Sequence, residues 1–592
     1  MLEPSHRSLL SELMRPPAGF RLEHAVGTTF TLHLPSVLPI PLAFASTQTP
    51  DDDPIGVLNA LRQSTDSIDI FCQAGAISMP RLNDLVALLE PCIHPVVPNR
   101  GLFHPKVWLL EFVLREQRRY RLIIGSRNLT QDTTWDAVAS FDGTAATELD
   151  DRERASNEAL SAFIAWLASR SRPELSTKRA RRLGVLAERC RSIRWEKPDE
   201  AEALAILVLG IGLPGPELEV AKRALIISPF VSDDGIRQLS STDGATVLVS
   251  RPDQIDLLSP ETLRPLSLRV LDDGADLPVV TSPPSTPNEQ PGRERPASDS
   301  LLTGLHAKVV VHDIAGSRSR MLIGSANATG SAWASNVEVV ADLIGKTKAI
   351  GVDATLTAMG DLVDEYVSEG GREPDPDQAA TRSLERELRR IAGLSLTVAF
   401  EGEGPFTLTM HAESAWRGSA EDDLTYTWRL VTRDAPIAVG PLGPSSSVVI
   451  ADLALRELTP FVMLDVEDAD GHRASTILVA RIDQDVEARR DRIIAQHLDT
   501  PEAFARFLRL MLRLPTAEAL GDGGGGWRLL EGVEASGSGM LELLMRAVGS
   551  PGRPLDELDG ILQQMTAEER HTVLPAGFHD LWANLMAATQ DR

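Results

Sequence analysis

The feature that most constrains this 592-residue chain is a motif set that occurs twice. The first copy reads His104-Pro-Lys106, then strand-like residues, then Ile123-Ile-Gly125-Ser126-Arg127-Asn128. The second reads His306-Ala-Lys308, four residues, Asp313, then Leu322-Ile-Gly324-Ser325-Ala326-Asn327, and later Asn336-Val337-Glu338. Either short motif alone is a common accident. In the same order twice, each behind the same upstream pattern, they mark one folding unit used two times. Upstream of the first copy stand a helix-like stretch (Ile55 to Leu61), a buried-strand run (Ile68 to Phe71) and a helix signal (Arg81 to Leu89). Upstream of the second stand a strand run (Ala224 to Ile227) ended by Ser228-Pro229, a short helix from Ile236, and a strand run (Thr246 to Val249). Continuous β-branched and leucine runs between helices predict α/β units around buried sheets.

Residues two apart on a strand share a face, so each His and Lys are expected to point together into one cleft. At the end of the next strand, Gly-Ser-x-Asn lets the backbone approach a ligand and offers hydroxyl and amide donors. Each half then supplies an imidazole, an ammonium, a hydroxyl and an amide, a set suited to a phosphate anion.

These motifs resemble those of the phospholipase D superfamily, whose signature runs His-x-Lys, four residues, Asp, then Gly-Ser-x-Asn. The resemblance covers roughly residues 20 to 370. It implies that one histidine attacks phosphorus to form a phosphohistidine while the other protonates the leaving oxygen and then activates water. Neutral imidazole is a competent nucleophile at pH 7, and a neighbouring imidazolium can donate a proton. Lys106 and Lys308 would offset charge on the phosphoryl oxygens, with Ser126, Asn128, Ser325 and Asn327 adding hydrogen bonds. Neither a metal nor another cofactor is expected. The second motif is complete, with Asp313 in place and Glu338 expected to hold the His306 ring. The first has Glu111 where Asp is usual, and Asp136-Ala137-Val138 where the second has Asn-x-Glu, with Asp136 a candidate partner for His104. On this unequal footing His104 is read as the nucleophile and His306 as acid and base. In general character the chain also resembles bacterial phospholipase D-like proteins from antiphage-defence and restriction gene neighbourhoods.

The fold class expected is α/β. Two pseudo-symmetric phospholipase D-like α/β/α lobes (1–198 and 199–370) precede a β-sandwich (385–484) and a small helical domain (485–592). The period-two runs Leu394 to Phe400 and Leu424 to Leu430 carry the sandwich reading. Phe504, Phe507, Leu508 and Met511 on one helical face carry the last, with Gly521 to Gly526 as a connector. Residues 282–300, rich in Pro and Ser, are expected to form a mobile loop.

A net charge of −25 argues against a protein that coats nucleic acid indiscriminately. Yet Arg170 to Lys197 holds ten basic residues against three glutamates. Arg179, Arg181 and Arg182 there form either a solvated helix face or an edge that tracks phosphates. Trp135 and Trp333, after the Gly-Ser-x-Asn turns, either cap the core or stack on bases. Met1 to Pro17 does not fit a signal peptide, no apolar run reaches membrane length, and three cysteines suit neither disulfides nor zinc. A cytoplasmic nuclease, partnered through its C-terminal modules by a helicase, ATPase or other defence proteins, is the expected function. A phospholipid hydrolase or phosphatidyl transferase and a non-catalytic phosphate-binding scaffold are the alternatives.

Overall fold

The computed structural model describes residues 10–44, 58–271, 304–508 and 554–582, with short gaps inside these ranges. The expected loop 282–300 lies outside them, as do Met511, Gly521 to Gly526 and most of Ile55 to Leu61.

Each motif copy belongs to its own sheet. In the first half the strands are β1 (Arg21–Thr29), β2 (Ile68–Gln73), β3 (Ile93–Val96), β4 (Val107–Leu114), β5 (Gln117–Gly125), β6 (Val138–Ala145) and β7 (Ile193–Trp195). Their order is β3-β2-β1-β4-β5-β6-β7. The second half has β8 (Ala201–Leu209), β9 (Arg223–Ile227), β10 (Thr246–Val249), β11 (Leu266–Leu271), β12 (Val309–Asp313), β13 (Arg318–Gly324), β14 (Glu338–Lys346) and β15 (Val363–Glu365). Its order is β15-β11-β10-β9-β12-β13-β14-β8. In both sheets three parallel strands continue into three antiparallel ones, so β9, β10 and β11 match β1, β2 and β3. Likewise β12, β13 and β14 match β4, β5 and β6. The repeat in sequence is a repeat in topology.

Strand alternation explains why these strands read as unbroken apolar runs. In β4, Val107 and Leu109 enter one core, while Trp108 and Leu110 enter another. The first of these cores joins the two sheets, and it also takes Phe163 and Ile164 from α1 (Asp151–Arg170) and Leu183 and Leu186 from α2 (Thr177–Cys190). On its outer side the first sheet shares a core with the C-terminal modules, and the second sheet is covered by short helices carrying Ile236, Leu239 and Ile255. A sheet buried on both faces can afford few polar residues along its strands, which is what these sequences show.

Beyond residue 390 come β16 (Leu396–Glu401), β17 (Phe406–Ala412), β18 (Thr425–Leu430), β19 (Pro436–Val439), β20 (Ser447–Leu453), β21 (Phe461–Glu467), β22 (Arg473–Val479) and β23 (Arg481–Gln484). They form two four-stranded sheets, β20-β17-β16-β23 and β19-β18-β21-β22, around one apolar core. Every second residue of β17 is buried, as one solvated and one packed face require. Helix α3 (Arg489–His497) follows, and Arg489 forms a buried ion pair with Glu90 of the first half at 2.6 Å. Among the described residues no helix is long and apolar enough to cross a membrane.

Two local expectations need correction. The segment read as a helix over Arg81 to Leu89 is a 3-10 run, Asp84–Cys92, with Pro91 inside it. Proline lacks the N–H donor that an α-helix would use. The His-x-Lys residues are not within the strands; each set lies in the extended lead-in just before β4 or β12.

Candidate active site

Each lead-in is held by the opposite half. Phe103 bridges to Val337, and the N–H of His104 donates to the Val337 carbonyl at 2.9 Å. Symmetrically, Leu305 bridges to Trp135, and the N–H of His306 donates to the Trp135 carbonyl at 2.7 Å. The two His-Lys pairs are thereby set against each other across the junction of the lobes. The ammonium of Lys308 reaches into the first half to donate to the Ser126 carbonyl at 3.2 Å.

This crossing corrects the expected partner of Glu338. Its carboxylate lies 3.0 Å from Nδ1 of His104, not against His306. Ser325 donates its hydroxyl to the same carboxylate oxygen at 2.5 Å. Asn336 fixes the approach, because its side-chain oxygen accepts from the Leu102 N–H at 3.0 Å. Gly101 (φ +62°) and Gly210 (φ +77°) lie against the backbone of Ser335 and Asn336, where a Cβ would sit 2.4 Å or less from a carbonyl oxygen. A Cβ on either glycine would push away the loop that carries Glu338.

A second correction concerns the missing counterpart of Glu338. Matching Asn-x-Glu in sequence pointed to Val138, but the backbone pairing points to Asp136. Ser126 N–H donates to Ala137, as Ser325 N–H does to Val339. The N–H groups of Ala137 and Val339 return bonds to Ser126 Oγ and Ser325 Oγ at 2.9 and 3.0 Å. Asp136 therefore occupies the Glu338 position, and the pseudo-symmetry assigns it to the His306 side of the cleft rather than to His104. His306 Nδ1 lies 3.2 Å from the Lys308 ammonium.

The electrostatics follow from burial. His104, Lys106 and Lys308 are all buried. Burial lowers the His104 pKa to about 4, with Lys106 and Lys308 working the same way against the raising effect of Glu338. Its imidazole is neutral at pH 7. Donation of Nδ1–H to Glu338 then leaves the Nε2 lone pair for attack. Burial, Lys308, Lys106 and His104 also push His306 far below its ordinary value. Lys106 is lowered well below the usual lysine range by burial and by Lys308. Two cations so close, and with so little water, make a site that an anion would relieve. The side-chain oxygens of Asn128 and Asn327 are buried without a protein partner in both halves. Turned over, each amide presents its NH2 group as a donor.

Other sequence-nominated residues have different work. Glu111 is five residues beyond Lys106 on an extended strand, roughly 16 Å along it, and pairs with Arg118 and Arg189, both at 2.8 Å. Asp313 accepts from Ser319 Oγ at 2.7 Å and from the Val352 N–H at 3.1 Å. Glu111 braces the middle of β4 and Asp313 the end of β12. Ser126 and Ser325 were expected to bond phosphate; Ser325 spends its proton on Glu338, and Ser126 Oγ accepts from backbone. Phe30, which no sequence motif singled out, packs its ring against that of His104 with centroids 5.3 Å apart.

The basic stretch is mostly an intramolecular partner for acidic groups. Arg179 and Arg182 converge on Asp69, which is fully buried and also bonds His24 and His94 at 2.8 and 2.9 Å. Arg191 and Arg194 pair with Glu158 and Glu153. Arg181 is exposed. Both tryptophans pack half-buried rings on a core: Trp135 also clamps the His306 lead-in through its backbone, and Trp333 donates Nε1–H to the Asn327 carbonyl at 3.0 Å. Arg179→Met is expected to lower stability by about 3–5 kcal/mol, because it strips a buried carboxylate of a partner. Urea unfolding measures this; an unchanged midpoint would contradict the assignment.

No protein-family model matches the chain, and no curated protein matches it. Among solved structures it is similar to the yeast tyrosyl-DNA phosphodiesterase, with 10% identity, 58% of this chain and 89% of that one covered, and a TM-score of 0.34. It is also similar to phosphatidylserine synthase of Haemophilus influenzae Rd KW20, with 13% identity, 64% and 89% covered, and a TM-score of 0.31.

Proposed function

We propose that the chain is a phosphodiesterase that cleaves nucleic acid through a covalent phosphohistidine on His104, with His306 as acid and base. The observation that carries this reading is the bond from His104 Nδ1 to Glu338, opposite a second His-Lys pair. In the first step Nε2 of His104 attacks phosphorus, the bond to the leaving oxygen breaks, and that oxygen takes a proton from the His306 imidazolium. In the second, water attacks phosphorus and gives its proton to His306. The N–P bond breaks and His104 is restored as neutral imidazole. Lys106, Lys308 and the amides of Asn128 and Asn327 face the charge on the non-bridging oxygens.

His306 must be protonated to act as acid, yet in the free protein burial and the two lysines disfavour its charged form. A bound phosphodiester anion opposes that field. Protonation is then needed below a pKa that is lower in the free enzyme than in the complex. The alkaline limb of kcat is therefore expected at higher pH than that of kcat/KM, which reports the free enzyme. Steady-state profiles on a dinucleotide, whose alkoxide leaving group needs that proton, test this, and coincident limbs would contradict it.

The direct test is cleavage of labelled single- and double-stranded DNA and RNA in excess EDTA, by wild type and by His104→Ala. EDTA-resistant cleavage that the substitution abolishes is expected; no cleavage of any polymer would turn the reading away from nucleic acid. The biological setting proposed, on the sequence resemblance, is bacterial antiphage defence or restriction. The sandwich and C-terminal helices would there dock a helicase or ATPase. Phage protection that survives His104→Ala would contradict a catalytic role in that setting.

A further inference from the structure

We propose that Phe30 is a stacking platform for the base next to the scissile phosphate, so that the cleft selects unpaired nucleic acid. This rests on the nucleic-acid reading above and names its substrate form. Phe30 follows the end of β1 and is only partly buried. Its ring lies 5.3 Å from the His104 ring at an interplanar angle of 54°, and the Lys106 ammonium is 5.9 Å from its centroid. An aromatic face thus stands beside both the nucleophile and a cation for the phosphate. The neighbouring base of a strand whose phosphate meets His104 comes within reach of that ring.

The second half has a related device. Phe230 follows the end of β9, is also only partly buried, and carries the Arg251 guanidinium 5.6 Å from its centroid. Arg251 is itself fixed by Asp253 at 3.0 Å. Just beyond each phenylalanine the chain bridges to the residue after the motif asparagine, Leu32 to Leu129 and Val231 to Ala328. The two half-buried rings therefore flank the two Gly-Ser-x-Asn turns, one in each lobe. Stacking needs a free base face. In a duplex both faces are covered by neighbouring pairs, so a platform this close to the nucleophile favours single strands, gaps and frayed ends.

The test compares two p-nitrophenyl phosphodiesters, one of thymidine and one of the matching abasic sugar, each linked through the 5′ and, separately, the 3′ oxygen. Wild type is expected to prefer the base-bearing diester by about tenfold in kcat/KM for one linkage, the lower part of the range for base–aromatic stacking. Phe30→Ala should bring that ratio close to one. Phe30→Leu, which keeps apolar bulk against His104, should do the same. A ratio that survives while both rates fall together would overturn the proposal and leave Phe30 as packing for His104. Equal wild-type rates on both diesters would also overturn it, with phosphodiesterase activity intact. Failure to cleave either diester would instead remove the phosphodiesterase reading on which it depends.

Discussion

His104→Ala is expected to lower diester cleavage by at least ~10³-fold, since it removes the proposed nucleophile. The matching His306→Ala variant separates the two steps. With an alkoxide leaving group it should fail by a similar factor, because the departing oxygen needs a proton. With p-nitrophenolate, which leaves without one, the first step should continue and the second should stall. The phosphoryl adduct, still carrying its second ester and trapped by denaturation at alkaline pH where the N–P bond survives, would be detected by intact mass; it should accumulate in His306→Ala and be absent from His104→Ala. Label on the opposite variant would reverse the two roles, and label on neither would remove the two-step mechanism.

Glu338→Gln should cost roughly 10²–10⁴-fold in kcat, with little change in the folded state. The side chain keeps its size, but an amide in place of the carboxylate can present N–H to the His104 ring. His104 would then adopt the tautomer whose Nε2 carries the proton, leaving no lone pair to attack phosphorus. Glu338→Asp should fall between wild type and Gln, because the charge remains but the 3.0 Å contact to Nδ1 is lengthened. The effect should be the same for p-nitrophenyl and alkyl diesters, since it acts on the nucleophile and not on the acid. A Glu338→Gln defect confined to alkyl diesters would instead tie Glu338 to His306. Circular dichroism and urea unfolding of the variant would separate a catalytic loss from a folding one.

The parts of the molecule legible in sequence were those set by local periodicity. Unbroken runs such as Ala224 to Ile227 signalled buried strands, and alternation in Leu424 to Leu430 signalled a strand with one solvated face. The twin His-x-Lys and Gly-Ser-x-Asn motifs marked the junction now seen between the lobes. What could not be read was which half serves which. Glu338 was matched with His306 because they are near in sequence, whereas the crossing of the lead-ins brings it to His104. Asp136 was hidden by a register difference of two residues that only backbone pairing reveals. The arginines of α2 looked like a basic face because their partner, Asp69, is distant in sequence and lies alone in an apolar strand. A charge in such a run is a signal that it has a buried partner somewhere, and that signal could have been used.

The crossed grip of the lead-ins also bears on how such a protein can change over generations. On the proposed mechanism neither half owns a complete reaction centre, so neither is free to degenerate into a mere scaffold while the other keeps the chemistry. A mutation at Glu338 falls on a histidine 234 positions away, and a loosening of Gly101 is felt at Ser335 on the other lobe. Heritable variation at these places must therefore be paired. If the gene were cut between the lobes, the fragments would have function only as mates, each restoring in the other what it cannot supply for itself.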